Sequence, residues 1–401
     1  MSNLDYMDKL LDGVEVEWKT LADITLPTSN IKWRDVEHTH LYIDLSSVSI
    51  ETKKIIETTE VDATNAPSRA QRIIQECDVI FATTRPTQMR YCLIDDIYSG
   101  QIASTGYCVL RPQISKVLPK WILYCIASKR FKSHVENNES GAAYPAISDT
   151  KIKAFEIPVP PLNIQAEIIQ ILDTFTELTA ELTAELVARK QQYAYYREQL
   201  LTFEEDKVEW KALGEVAEYS KTRISYELLN EENYVGVNNL LQDKAGKEES
   251  SHVPTQGNST KYQDNDILIG NIRPYLKKIW QADCIGGTNG DVLVIHPTDK
   301  AVNPRYLYQV LADDNFFNYN MQHAKGAKMP RGDKARIMEY KIPIPSLAEQ
   351  QRIVTILDKF EALTTSLTEG LPREIELRQQ QYEYYRELLL SFPKAEVADH
   401  D

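Results

Sequence analysis

Two long stretches of this 401-residue sequence occur twice, so any fold it adopts must hold both copies. FEIPVPPLNIQAEIIQILDTF at 155–175 recurs as YKIPIPSLAEQQRIVTILDKF at 340–360, and RKQQYAYYREQLLTF, ending at Phe203, recurs as RQQQYEYYRELLLSF, ending at Phe392. VEWKTLADI from Val16 matches VEWKALGEV from Val208. Internal self-similarity limits architecture before any single residue does. Fainter echoes lie between these anchors: DVIFATTRP from Asp78 resembles DILIGNIRP from Asp266, and Gly141–Pro145 aligns with Gly326–Pro330. Elsewhere the bodies differ, and the order is variable body, shared helix, variable body, shared helix.

MDKLLDGVEVEW at the start looks like the end of a shared helix running into VEW, as REQLLTFEEDKVEW does at 197–210. If the first residues complete the structure begun by the last helix, the chain is circular, with a pseudo-two-fold axis. The expected segments are a first body at 1–155, with 1–12 completing the distal helical region, and a central helical region at 156–207. A second body at 208–340, a distal helical region at 341–392 and a disordered tail at 393–401 follow.

The bodies read as mixed α/β. DVIFATT, YCVLRP, DILIGNI and DVLVIHP are β-branched or aromatic runs bounded by turn residues, the chemistry of strands. WILYCIASKRFKSHV and RYLYQVLADDNFFNYN each follow a proline and have helical spacing. In the shared segments apolar residues recur mainly in steps of three and four from Ile168 to Phe203 and from Ile353 to Phe392, the stripe of a helix facing another helix. Ser346 with Glu349 is a candidate capping box, and Gly370 with Pro372 should break the second helix, Pro372 standing where a first helical residue would. The expected fold class is α+β: two mixed bodies separated by two long helical segments forming an antiparallel coiled coil.

No apolar run approaches the roughly 20 residues needed to span a bilayer, and the acidic opening lacks the pattern of a secretory signal. Five cysteines without a C-x-x-C pair fit neither a disulfide framework nor a zinc ribbon. A cytoplasmic protein without membrane association is the expectation. The net charge of −14 argues at first sight against nucleic acid. However, residues 156–207 hold 4 basic and 10 acidic side chains, and residues 341–401 hold 7 and 11, so ten of the fourteen excess charges sit on the shared segments. The bodies are near neutral and can carry basic faces.

No phosphate-cradling loop, dinucleotide fingerprint, amino-methyltransferase motif or H-E-x-x-H occurs. His38 and His40 read as solvated loop residues. Glu17/Lys19 and Glu209/Lys211 repeat the E-x-K spacing that nucleases use to hold Mg²⁺, but no acid from a separate strand accompanies them. No metal site is expected.

The cations are better organised. Ile97–Val135 contains no acid and carries Arg111, Lys116, Lys120, Lys129, Arg130 and Lys132. The second body has Arg273, Lys277 and Lys278, then Lys325, Lys328, Arg331, Lys334 and Arg336. Positive clusters at matching places in two repeats suggest a polyanion surface. Arg85, Tyr144 and Asn271 join the candidate DNA-binding set, with Gly141–Ser148 and Gly326–Asp333 as loops at the DNA. A coiled-coil scaffold without DNA contact would explain the helices but not the paired clusters.

On the IPVPP and IPIPS runs, the two QYxYYRE helix ends and the VEWK repeats, the chain resembles the specificity (S) subunit of type I restriction-modification systems. ELTAELTAEL and GLPREIELRQ look like the type IC branch. The resemblance implies a non-catalytic subunit whose two target recognition domains each read one half of a split, asymmetric double-stranded DNA site. It further implies that the helices set the spacer and dock two methyltransferase (M) subunits, through which restriction (R) subunits join. No cofactor is expected on this chain; S-adenosylmethionine, ATP and Mg²⁺ would belong to the partner subunits. The tandem quartet Thr179–Leu182, Thr183–Leu186 is the candidate spacer element, because four helical residues add about 6 Å and about 40°.

Overall fold

The computed structural model describes residues 14, 16–204, 206–365 and 369–393. The helix expected at 1–12 lies outside the described residues, as does the expected tail beyond Pro393. Two compact units divide the chain, Met1–Ala180 with Glu376–Asp401, and Glu181–Ile375. They are larger than the bodies read from sequence, because each body keeps the helical surface it packs against.

A two-stranded ribbon closes the base of each body. Glu17–Thr20 pairs antiparallel with Glu156–Val159, Trp18 opposite Pro158. Glu209–Ala212 pairs the same way with Lys341–Ile344, Trp210 opposite Pro343. A two-stranded ribbon has a free edge on each strand, which is where proline is tolerated. The E-x-K lysines are engaged on these ribbons: Lys19 pairs with Glu17, and Lys211 reaches Asp299 at 3.2 Å.

The four strands read from sequence are present as Val79–Ala82, Tyr107–Pro112, Ile267–Gly270 and Val292–Pro297. In the first unit they lie in an antiparallel sheet ordered Thr25–Leu26, Tyr107–Pro112, Val79–Ala82, Tyr91–Leu93. The second unit repeats it as Ala217–Tyr219, Val292–Pro297, Ile267–Gly270, Ile279–Gln281. A second sheet diverges. Both copies contain a short parallel pair, His40–Ile43 beside Ile102–Ser104 and Tyr234–Val235 beside Gly286–Thr288. The outermost strand changes edge: Thr59–Val61 adds to His40–Ile43, whereas Arg223–Ser225 adds to Asn258–Tyr262 on the other side.

The helical runs after Pro119 and Pro304 are each two helices, not one. Ser128 separates Pro119–Ala127 from Lys129–Asn138, its hydroxyl accepting from the Phe131 N–H. Ala312 and Asp313 separate Pro304–Leu311 from Asp314–Gln322, and the Asp313 carboxylate caps Asn315. A short polar side chain at each point offers the backbone a cap in place of the continuing ladder.

Leu162–Leu201 is one helix of 40 residues. Its counterpart is two, Leu347–Thr365 and Gly370–Leu389. Gly370 has φ +78°, and a Cβ there would stand 2.3 Å from the Ala362 carbonyl oxygen, so only glycine fits; Pro372 lies in the first turn that follows. The Ser346 hydroxyl caps Glu349, while the Glu349 carboxylate turns to Arg352, so half of the expected capping box forms.

The helical stripes are the platforms of the units. In the first, Ile164, Ile168, Ile169 and Leu172 join Leu389, Leu390 and Phe392 in one core with Trp121 and Phe131. Phe175 stacks on Tyr385 at 5.4 Å and Thr176 approaches Tyr382, so the two helices run antiparallel. In the second, Ile353, Val354 and Leu357 share a core with Tyr306 and Phe316, and Tyr193 and Tyr196 both stack on Phe360.

Candidate nucleic-acid interface

Both units build the same surface feature from the DVIFATTRP and DILIGNIRP echoes. After Val79–Ala82 the chain turns at Arg85, which has φ 48°, passes a 3₁₀ turn at Pro86–Gln88 and turns again at Met89, φ 51°. In the second unit Arg273, Pro274–Leu276 and Lys277 repeat this at φ 53° and φ 50°. Left-handed backbone at non-glycine residues is strained and persists only where its surroundings over-determine it. Here they do. The Arg85 N–H donates to the Pro145 carbonyl and the Arg273 N–H to the Pro330 carbonyl, each at 2.7 Å.

Those carbonyls belong to the Gly141 and Gly326 loops. Ser140 and Ala146 exchange two backbone hydrogen bonds of 2.9 Å, as do Lys325 and Arg331. Gly141 and Gly326 have φ +100° and +103°, which is why glycine begins each loop. Each unit therefore presents two crossed loops locked by backbone bonds, with free choice of side chains.

On the first pair Arg85 is exposed, its guanidinium 5.9 Å from the ring of Tyr144, itself 74% exposed. On the second pair Arg273, Lys325, Lys328 and Arg331 are exposed together. Lys325 pairs with Asp333 at 2.7 Å and Arg331 with Asp291 at 3.2 Å. The Lys325 ammonium, with the backbone of Arg336, holds the Asp333 carboxyl below its usual pKa.

Other candidates are engaged with the protein itself. Arg111 closes on Asp78, which is fully buried, with hydrogen bonds of 2.9 and 2.8 Å; its charge neutralises that carboxylate. Asn271 is 5% exposed; its backbone N–H donates to the Asp291 carbonyl and its carbonyl accepts from the Gly332 N–H within the second loop pair. Lys278 donates to the Val237 carbonyl at 2.7 Å, and burial lowers its pKa. Lys277 is held by Asp314 at 2.9 Å, and Lys244 joins it there at 3.0 Å. Burial would raise the pKa of Asp314, but those two ammonium groups keep it below the ordinary value.

Arg130 lies over Trp18 at 4.3 Å and Phe155 at 4.8 Å and donates to the Glu156 carbonyl, anchoring the first ribbon. Lys116 points to the Asp23 carbonyl at 3.5 Å, Lys132 pairs loosely with Glu136 at 3.9 Å, and Arg336 pairs with Glu339 at 2.6 Å. Lys129 and Lys334 are exposed.

Three groups escaped the sequence reading. Lys53 donates its ammonium to the Met89 carbonyl at 2.5 Å, closing the strained turn of the first unit; burial pulls its pKa down to about 8. The second unit closes the same turn with backbone, Asp243 and Lys244 N–H groups donating to Leu276 and Lys277 carbonyls at 3.0 Å. The third is Asp291, a lone acid in sequence whose partner is forty positions away.

A family model described as the type I restriction modification DNA specificity domain matches residues 51–189 and again 205–377. The chain belongs to this DNA specificity family. The EcoR124I/EcoR124II type I restriction enzyme specificity subunit of Escherichia coli is 34% identical, with 100% of both chains aligned. A putative type I restriction enzyme specificity subunit of Haemophilus influenzae is 29% identical over 98% of this chain and 99% of its own length. Among solved structures, the HsdS subunit of Thermoanaerobacter tengcongensis shares the fold, with TM-score 0.54, 21% identity, and coverage of 95% of this chain and 98% of its own. A chain from a structure describing assembly and conformational transition of the type I R-M system superposes with TM-score 0.65 at 22% identity, covering 94% and 98%.

As a type I specificity subunit this chain is a DNA-recognition protein without catalytic function. The two family matches fall on the two repeated bodies and their helices, and the loops above occur in both repeats. Among the described residues no helix is long and apolar enough to cross a membrane, and no group of three His, Cys, Asp or Glu could hold a metal ion.

Proposed function

We propose that the bodies are separate readers, residues 1–155 for one half of a split, asymmetric double-stranded DNA site and residues 208–340 for the other, working in the cytoplasm. The observation that carries this is the pair of crossed loops, built on matching backbone in both units and furnished with different side chains. Phosphates fix the register of a protein on DNA and base edges supply the sequence, so a constant backbone under variable side chains suits a reader. Arg85 and Tyr144 serve one half-site, with Lys129 and Lys132 beside the phosphates; Arg273, Lys325, Lys328, Arg331 and Lys334 serve the other.

The shared helices carry the remaining roles. They set the spacer through Thr179–Leu186 and dock two methyltransferase subunits, one for each copy of QYxYYRE, through which restriction subunits join. Tyr195 and Tyr384 support this docking: they hold matching places in the two copies and are 59% and 55% exposed, whereas their neighbours stack on Phe360 and Phe175. S-adenosylmethionine, ATP and Mg²⁺ are held by the partner subunits, and this chain contributes recognition alone.

Replacing residues 20–150 with the counterpart from another family member, followed by mapping of methylated sites in the host, tests the division. One half of the methylated sequence changes and the other stays. A change in both halves, or in neither, overturns it.

A further inference from the structure

Among the differences between the crossed loops of the two units is one pair of facing positions. Ala146 and Arg331 occupy the same point of the backbone, each bridged on one side to the turn strand, Thr84 or Ile272, and on the other to Ser140 or Lys325. Opposite them stand Gly106 and Asp291, also equivalent: the Gly106 carbonyl accepts from the Thr83 N–H at 2.7 Å and the Asp291 carbonyl from the Asn271 N–H at 2.8 Å. The first unit has glycine facing alanine. The second has aspartate facing arginine, joined at 3.2 Å.

A surface ion pair of this kind contributes little stability, because both side chains are well solvated, Arg331 at 57% and Asp291 at 40% exposure. Its effect is on orientation. One Nη2–H of Arg331 is taken by Asp291, and four of the five guanidinium donors remain. The backbone beneath is fixed on both sides, so the fork is held at the rim of the loops with its free edge available. An arginine presented in this way matches guanine, whose O6 and N7 accept a bidentate pair in the major groove. A phosphate contact needs only charge, and an acid beside the cation would weaken it; Asp291 therefore favours base reading over backbone gripping.

We propose, resting on the assignment of residues 208–340 as reader of one half-site, that Arg331 recognises a guanine in that half-site and that Asp291 is its positioning residue. At the same backbone point in the other reader stand Gly106 and Ala146, which carry no side-chain donor, so no guanidinium is supplied from that point.

The test uses the full chain assembled with its methyltransferase subunits, with methylation mapped in the host and binding measured on duplexes carrying every single base-pair change in the half-site. Arg331→Ala loses discrimination at one position, where the wild type requires a G·C pair, by about 5- to 150-fold, with all other positions unchanged. Arg331→Lys keeps overall affinity but loses the same discrimination, since an ammonium lacks the fork. Asp291→Asn blunts selectivity at that same position while binding to unrelated DNA stays equal or rises, an effect that a merely structural role would not produce. Uniform weakening of Arg331→Ala on all duplexes, with a shallower salt dependence, makes Arg331 a phosphate ligand and overturns the inference. Unaltered affinity and selectivity in Arg331→Ala also overturns it, and the exchange of residues 20–150 then shows independently whether the readers are still divided as proposed.

Discussion

Gln165 and Gln350 make the same set of hydrogen bonds at the start of the two shared helices. Gln165 is fully buried; its side chain accepts from the Leu118 N–H and donates to the Lys116 and Pro160 carbonyls. Gln350, equally buried, accepts from the Asn303 N–H and donates to the Ala301 and Pro345 carbonyls. Each glutamine ties a body to the helix that carries it. Replacement by alanine leaves a buried N–H and two carbonyls without partners and should cost at least about 2 kcal/mol in either unit. Urea denaturation of the single variants checks this, and a loss below about 0.5 kcal/mol would show that the joint is held by packing alone.

Arg111→Ala should destabilise the first unit by about 3–5 kcal/mol, because the fully buried Asp78 is left without its counter-charge. DNA affinity of the folded fraction should stay unchanged. A weaker, less salt-sensitive affinity with stability intact would return Arg111 to the DNA face.

Removing the exposed cations of the crossed loops should act on salt dependence. Arg85 and Arg273 have positive φ, so Arg85→Gly and Arg273→Gly remove the side chains without adding backbone strain. For every phosphate that is no longer neutralised, the slope of log affinity against log salt should become shallower by about 0.9. Lys129→Ala with Lys132→Ala, and Lys328→Ala with Lys334→Ala, are the companion tests. Slopes equal to wild type in all four variants would place the DNA on another face.

Lys53 gives a pH signature. Its ammonium is disfavoured in the folded protein, where its pKa is about 8, relative to the ordinary 10.5. Between those values the unfolded chain holds a proton that the folded chain has released, so stability rises with pH across that window. Below pH 8 the burial penalty is fully present. Lys53→Gln should flatten the rise, measured as the difference in unfolding free energy between variant and wild type from pH 7.5 to 10.5. A constant difference across that range would contradict the assignment.

A third TAEL quartet inserted after Leu186 should lengthen the gap between half-sites by about one base pair and leave both halves unchanged. Leu178, Leu182 and Leu186 are half-buried while the residues between Thr183 and Leu186 are exposed, so a quartet extends the stripe without breaking it. The added rise of about 6 Å and turn of about 40° compare with about 3.4 Å and 35° for one base pair. Methylation mapping decides, and an unaltered gap would remove the metric role.

The frame was legible because it is written twice. Repetition exposed the helices and the turn echoes, and β-branched runs marked the four central strands; the VEWK and IPVP repeats were visible, but their pairing as ribbons was not. The split at Ser128 was not legible, since a serine inside a helical pattern reads equally as a solvated position or a cap. The candidate site was read in part. Charge counting gathered exposed Arg331 and Lys328 together with internally engaged Arg111 and Lys278, because a cation balancing a buried acid and one facing solvent look alike until the fold sets Asp78 beside Arg111. Asp291 carried no signal at all; its meaning comes from a partner on another loop.

The paired strands at the base of each body have a consequence for chain entropy. Thr20 faces Glu156 and Ala212 faces Lys341, so each body leaves and rejoins the frame at adjacent points and is, to the frame, a closed loop. Loop-closure cost grows only with the logarithm of length: enlarging such a loop from ~130 to ~160 residues adds about 0.2 kcal/mol. A replacement body can therefore be longer, shorter or differently wound, with its outer strand on either edge, and the frame is almost indifferent. Genetic recombination within the recurring flanking segments would deliver a new reader already seated, and natural selection could then act on recognition with little concern for stability.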